Sequence, residues 1–296
     1  MDPERKSLKR VELTVLVCDR STYNNDLWSQ FGLAVLVDFQ WNDDSARRVL
    51  FDTGWTAEPL LHNMDCLGIT LDSVDTLFLS HAHYDHTGGL PRLLDHEGAR
   101  FQLVAHPDIT RPVFSKRREF HYIGLEPSDL DKLPQSRRVL TEDPLEVHPR
   151  VWATGTIPRR SEFEKPEKGV YVLDNGKFVP DPEWDDLSMV VDLGEEGIFI
   201  VSGCSHAGIV NIIRACQDIT GKQTIYGVIG GLHLIDLEEE VKVKTIEALA
   251  ALDMRHLWTG HCTGLEAELR LQKALGEKCS MFYTGDKITI TPGGKG

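Results

Sequence analysis

Four side chains able to ligate a metal stand within six positions in "HAHYDH", residues 81–86: His81, His83, Asp85 and His86. In an extended segment alternate residues point the same way, so His81 and His83 can grip one ion together. Asp85 shares their parity and His86 does not, so a turn here offers a second ion two further ligands. Neutral imidazoles with a carboxylate suit zinc, iron(II) or manganese better than calcium or magnesium. One or two transition-metal ions, zinc first, are therefore the expected cofactor. Two ions about 3.5–4 Å apart can activate a water and polarise a substrate oxygen. A lone histidine is more often an ordinary polar residue, but four potential ligands packed together after an apolar strand argue for a metal site able to activate water.

The strand that must position this cluster is "VDTLFLS", which runs directly into it, and Gly88 and Gly89 keep the next turn compact at the start of a helix. A histidine also follows three other apolar strands: His206 after "IFIVSGCS", His233 after "YGVIGGL" and His261 after "HLWTG". Ends of parallel strands share one rim in α/β folds, and ligands bind there. His206 and His261, each in a glycine-bearing turn, are expected to join the metal ligands. His233 is read as a substrate-pocket residue, with simple packing as the alternative. His106 also follows a strand; His62, His96, His121, His148 and His256 are read as ordinary polar residues.

Along the chain, strand patterns lead ("VELTVLVC", "GLAVLVDF", "RRVLFDTG"), then helix and strand alternate, and the second half repeats this plan from "LSMVVDLG" onward. The plan predicts two sheets packed face to face with helices outside, a four-layer αββα sandwich in one domain spanning residues 1–296. Between about 107 and 184 prolines and charges break the pattern, which predicts an irregular insertion over the active site. Hydrophobic residues make up 41% of the chain, enough for a sizeable core. The net charge of −14 opposes nucleic acid, whose binders present a basic surface. No run is long enough to cross a bilayer, and the charged start is not a signal peptide. Six widely spaced cysteines form neither a disulfide framework nor a CxxC clip, so a cytoplasmic protein with reduced thiols is expected.

"HAHYDH" resembles the HxHxDH signature of the metallo-β-lactamase superfamily. "LFDTG" at 50–54 is similar to that superfamily's first motif, whose aspartate, here Asp52, supports the metal loop from outside the ligand shell. "SHAHYDHTGGL", "SGCSHAGIVNII", "VIGGLHLI" and "TGHCTG" together resemble a narrower branch that includes the archaeal dihydropterin-ribofuranosylaminobenzene phosphate synthases. The resemblance implies one ion on His81, His83 and His206 and another on Asp85, His86 and His261, with Asp85 also orienting the activated water or taking its proton. It implies a small, phosphorylated pterin precursor as substrate, a carbon–nitrogen bond formed, and diphosphate as the leaving group. Generic hydrolysis is the broader alternative.

Two departures bear on the metal count. "VWATGTIPRR" lacks the histidine of the third motif, and "SGCSH" replaces the bridging aspartate, for which Cys204 or His206 can substitute. His206 reaches further and is preferred, leaving Cys204 as a supporting residue, and loss of the bridging carboxylate implies a weaker second site. Cys262 is read with Cys204 as a thiolate, a redox-sensitive group or a small buried side chain. Arg159 and Arg160, ahead of Lys116, Arg117 and Arg118, are the expected phosphate clamp. Trp28, Phe31, Phe120, Tyr122 and Trp184 are candidates for a stacking wall. Rival readings are a nuclease or phosphodiesterase of the same fold, or a non-catalytic ligand or redox sensor.

Overall fold

A computed structural model describes residues 6–293. One seven-stranded sheet runs, in spatial order, Lys287–Ile290, Leu8–Val17, Ala34–Trp41, Ala46–Phe51, Thr76–Phe78, Gln102–Ala105 and Arg138–Leu140. The other runs Cys279–Met281, Met254–Gly260, Ile225–Gly231, Ile198–Ser202, Ser188–Asp192, Val151–Ala153 and Leu145–His148. Strand alternation decides what each face buries. In Ala34–Trp41, Val35, Val37 and Phe39 enter a layer shared with the second sheet, while Leu36 turns the other way, to join Leu60 and Met64 of the helix Ala57–Cys66. In Ile198–Ser202, Phe199 and Val201 enter the same shared layer. Ile198 and Ile200 pack instead with Ile212 and Ile213 of the helix Ile209–Thr220, and with Leu249 and Leu271 from the helices Glu239–Ala250 and Leu265–Leu275. The result is the expected αββα layering.

The helix Ile209–Thr220 shows how local sequence serves this plan. Ile209, Ile212, Ile213 and Cys216 recur at helical spacing on one buried face, and Gly221 ends the helix at φ +70°. Both sheets contain parallel runs: Ala46–Phe51 through Arg138–Leu140 in one, Ile198–Ser202 through Cys279–Met281 in the other. Asp52, His81, His206, His233 and His261 all lie just beyond the carboxyl ends of such strands.

The segment 107–184 is more ordered than its sequence suggests. It returns Arg138–Leu140 to the first sheet, and Leu145–His148 and Val151–Ala153 to the second. It also forms a four-stranded sheet of its own, in the order Lys177–Pro180, Val170–Asp174, Val113–Ser115 and His121–Tyr122. Strands of two to five residues are too short to display a period between prolines and charges, which is why the pattern reads as irregular. Among the described residues no helix is long and apolar enough to cross a membrane.

Candidate metal centre

Asp52 is the keystone of the first histidine cluster. Held at φ +60° at the end of its strand, it is fully buried. Its Oδ1 accepts from Ser80 N at 2.7 Å, and its Oδ2 accepts from Ser80 Oγ and from His86 Nδ1, each at 2.7 Å. Ser80 Oγ lies 2.8 Å from His81 Nδ1, so one carboxylate orients two imidazoles. His261, at φ +51°, is fixed in the same manner when its Nδ1 donates to Asp19 Oδ2 at 2.7 Å. A carboxylate behind an imidazole is the usual way a ligating nitrogen is aimed.

With those Nδ1 atoms engaged, His86 Nε2 and His261 Nε2 face each other at 3.2 Å. Cys204 Sγ stands 3.0 Å from the first and 3.3 Å from the second, and Asp85 Oδ2 stands 3.5 and 3.3 Å from them. Ligands at about 2.0–2.3 Å from a tetrahedral ion lie about 3.3–3.8 Å from one another, so the four atoms nearly trace a tetrahedral cage. Lone pair against lone pair at this distance is repulsive unless a positive charge lies between. A proton would satisfy the two nitrogens but leave the carboxylate and thiol unused; a transition ion uses all four. Burial opposes a charge on His261, yet Cys262, Asp19 and Asp85 raise its pKa well above the ordinary value. Burial likewise opposes ionisation of Asp85, but His86 and His261 hold its carboxyl well below the usual range.

His81, His83 and His206 form a second set, their ring centroids 4.7 Å apart in every pair. His81 Nε2 and His206 Nε2 are buried without a hydrogen-bond partner, as ligand atoms awaiting an ion would be. Burial, reinforced by neighbouring imidazoles, pushes His81 and His83 well below their ordinary pKa and keeps them in the neutral form that ligates. His206 Nδ1 faces Glu183 Oε1 at 3.2 Å; burial disfavours its charge, but Glu183 and Asp186 push its pKa up to about 9. The donor chemistry of both sets fits transition-metal ions.

The structure thus brings together His81, His83 and His206 in one set, and Asp85, His86 and His261 in another. Cys204, expected behind the ligands, has its Sγ among the candidate ligand atoms. Gly203 explains the shift: a Cβ there would lie 2.3 Å from Ser80 Oγ, so only glycine lets the turn approach closely enough to swing Cys204 inward. His233, at φ +44°, belongs to neither set and lines the adjoining cavity. Its Nε2 accepts from Arg117 Nη2 at 3.0 Å, and its ring is 4.4 Å from that of His206.

The two arginines expected as a phosphate clamp lie away from the cavity. Arg159 turns inward, donating to His206 O at 3.0 Å, Pro182 O at 2.9 Å and Glu183 Oε2 at 3.2 Å. Arg160 pairs with Asp218 on the surface, and neither lines the cavity. The basic residues that do are Arg20, Arg117, Arg118, Lys165 and Lys168. Of the proposed stacking aromatics only Phe31 lines it; Trp28 stacks on His62, and Phe120 joins Phe114 on the small sheet. His106 is engaged by Thr156 and Asp108.

Sequence reasoning missed Asp19, Glu183, Asp185 and Asp186. Asp185 Oδ2 accepts from Ala82 N at 2.7 Å and Asp186 Oδ2 from Ala207 N at 2.6 Å, so adjacent carboxylates pin both histidine loops. Burial pushes Asp185 up to about 8 and Asp186 up to about 6. One signal was available: "VLVCD" ends a strand in aspartate just as "VLFD" does.

Comparison with known proteins bears on the family and the fold. Residues 47–155 match the family model described as a β-lactamase superfamily domain. The chain is 38% identical, over 94% of its length and 96% of the relative's, to the 7,8-dihydropterin-6-methyl-4-(β-D-ribofuranosyl)-aminobenzene-5'-phosphate synthase of Methanocaldococcus jannaschii. Among solved structures, Tm1679, a metal-dependent hydrolase of the β-lactamase superfamily, is 28% identical and superposes with a TM-score of 0.79, covering 95% of this chain and 99% of that one. Zinc-bound PqqB of Methylobacterium extorquens shares the fold at 11% identity and a TM-score of 0.53, covering 94% and 99%.

Proposed function

We propose that this chain, which belongs to the metallo-β-lactamase superfamily and to the branch containing the M. jannaschii synthase, is a metal-dependent enzyme that joins a phosphorylated pterin precursor to an aromatic amine. The observation that carries this reading is the convergence of two ligand sets beside a cavity of about 1210 Å³ whose lining, though it also holds carboxylates, includes Arg20, Arg117, Arg118, Lys165 and Lys168. His81, His83 and His206 would hold one ion, and Asp85, His86, Cys204 and His261 the other. Zinc suits these nitrogen, sulfur and oxygen donors best, and ions held there would supply Lewis-acid stabilisation of charge on phosphate oxygens.

In the proposed reaction the bond from the pterin methylene carbon to the diphosphate oxygen breaks, and the oxygen keeps the electron pair. The amine nitrogen bonds to that carbon and sheds a proton to water. Arg118 is suited to bind the departing phosphates, because guanidinium pairs bidentately with their oxygens, whereas Arg117 is engaged by Glu167, Asp236 and His233. Asp85, held ionised and wedged between His86 and His261, serves to orient the reacting group. The chain works here as one domain, and the segment 107–184, which contributes Arg117, Phe163 and Lys168 to the lining, is its cover. Unpaired cysteines suit a reducing cytoplasm, and the net charge of −14 disfavours a nucleic-acid substrate.

Simple hydrolysis is the second reading, favoured by the likeness to Tm1679, with water in place of the amine. Metal-replete protein incubated with dihydropterin-methyl diphosphate, with and without ribofuranosylaminobenzene phosphate, separates the two. A coupled product plus pyrophosphate, formed only with the amine, is expected. Hydroxymethyl pterin released at the same rate without amine would identify a hydrolase. Inertness of metal-replete protein to both would favour a sensor.

A further inference from the structure

We propose that Phe31 and Tyr84, propped by Trp55, form an aromatic shelf at the edge of the metal centre on which the flat ring of the substrate stacks. This rests on the reading above, which supplies a flat heterocycle as ligand. Phe31 and Trp55 leave 46% and 49% of their surfaces exposed, although apolar rings of this size normally dominate cores. Phe31 and Tyr84 both line the cavity beside the ligand cluster. The Phe31 ring centroid is 5.6 Å from that of His261, 6.2 Å from Tyr84 and 6.3 Å from Trp55, and Trp55 lies 5.7 Å from Tyr84. The rings meet at tilted or edge-on angles, leaving faces free for a further ring.

The shelf is welded to the metal loop through the backbone. Leu33 N donates to Asp85 O at 3.3 Å, Thr53 N to His86 O at 2.7 Å, and Gly54 N to Leu33 O at 3.0 Å. Gly32, next to Phe31, has φ +120°, and a Cβ there would lie 2.1 Å from Asp85 O. A Cβ on Gly88 would lie 2.0 Å from Trp55 O. Asp85 and His86 are therefore held by the same backbone contacts that place Phe31 and Trp55, so a ring stacked on the shelf keeps a constant offset from the metal ligands. That is what a site needs if it binds an inert heterocycle in order to deliver the substituent attached to it. The shelf thus selects the ring, while cations of the lining such as Arg118 are left to meet the phosphate.

The test measures quenching of 6-hydroxymethylpterin fluorescence by metal-replete protein, with 4-aminobenzoate as a second flat probe and inorganic pyrophosphate as a probe that needs no stacking. Phe31→Ala and Tyr84→Leu are each expected to weaken pterin binding about tenfold, the order that loss of one stacking ring produces. Metal content and pyrophosphate affinity should be retained, and Phe31→Tyr should restore pterin binding. Native pterin affinity in both variants would overturn the shelf while leaving the proposed reaction standing. Binding of 4-aminobenzoate but not pterin, lost in Phe31→Ala, would keep the shelf and overturn the pterin reading. Failure of the native protein to bind either flat probe would overturn the shelf.

Discussion

The two candidate metal sets are built from the same residue types but braced differently. In the set of Asp85, His86, Cys204 and His261, both imidazoles lean on a carboxylate through Nδ1, and the facing donor atoms already stand 3.0–3.5 Å apart. In the set of His81, His83 and His206, His81 leans on a serine hydroxyl, and His206 faces the carboxylates of Glu183 and Glu167 at 3.2 and 3.4 Å. The first cage is preorganised for an ion, and the second leaves more of the arranging to the ion itself. Asp52 serves both, through His86 directly and through Ser80 to His81.

The largest effect is expected from His86→Ala, which removes a ligand from the preorganised cage. Metal analysis should find one ion fewer per chain than in the native protein, and turnover should fall below detection. Next comes Asp52→Asn, expected to lower metal affinity or activity about 100-fold, the upper end of what loss of an outer carboxylate costs. Asp19→Asn, which touches only His261, should cost about tenfold, and only one of the two metal-binding phases in a titration should move. Equal losses in both phases for Asp19→Asn would erase the distinction between the sets. Cys204→Ser sharpens it from the other side: the cobalt-substituted native protein should show a sulfur-to-metal charge-transfer band that the variant lacks.

How much of this was legible in the sequence follows from the distance over which each signal acts. The layered fold could be read because long strands such as Leu8–Val17 and Ala34–Trp41 carry enough residues to show which face is buried. His81, His83, Asp85 and His86 were legible because they lie in one short segment, and His206, His233 and His261 because each follows an apolar strand. Asp185 and Asp186 were not, because a carboxylate that accepts from a backbone N–H on a distant loop leaves no mark in its own neighbourhood. The inward direction of Cys204 was not legible because it depends on Gly203 packing against Ser80, a contact between residues 123 positions apart. Basic side chains in the cover were the hardest to place, since short strands conceal the parity that sets which way each one points.

Arg159 and Arg160 turn that last difficulty into the smallest effect worth measuring. They are neighbours of one type, yet Arg159 is largely buried and closes three hydrogen bonds around the His206 loop, whereas Arg160 makes a surface pair with Asp218 in which both side chains are more than half exposed. Removing Arg159 leaves the buried Glu183 carboxylate and two carbonyls short of a donor, so Arg159→Met should destabilise the fold by about 1–3 kcal/mol in a denaturant titration. It should also loosen metal binding only in the set that contains His206. Arg160→Ala should change stability by no more than about 0.5 kcal/mol, because an exposed pair gains little from its charges. Equal effects from the two variants would mean that Arg159 does not brace the His206 loop, and that Glu183 and Asp186 hold it instead.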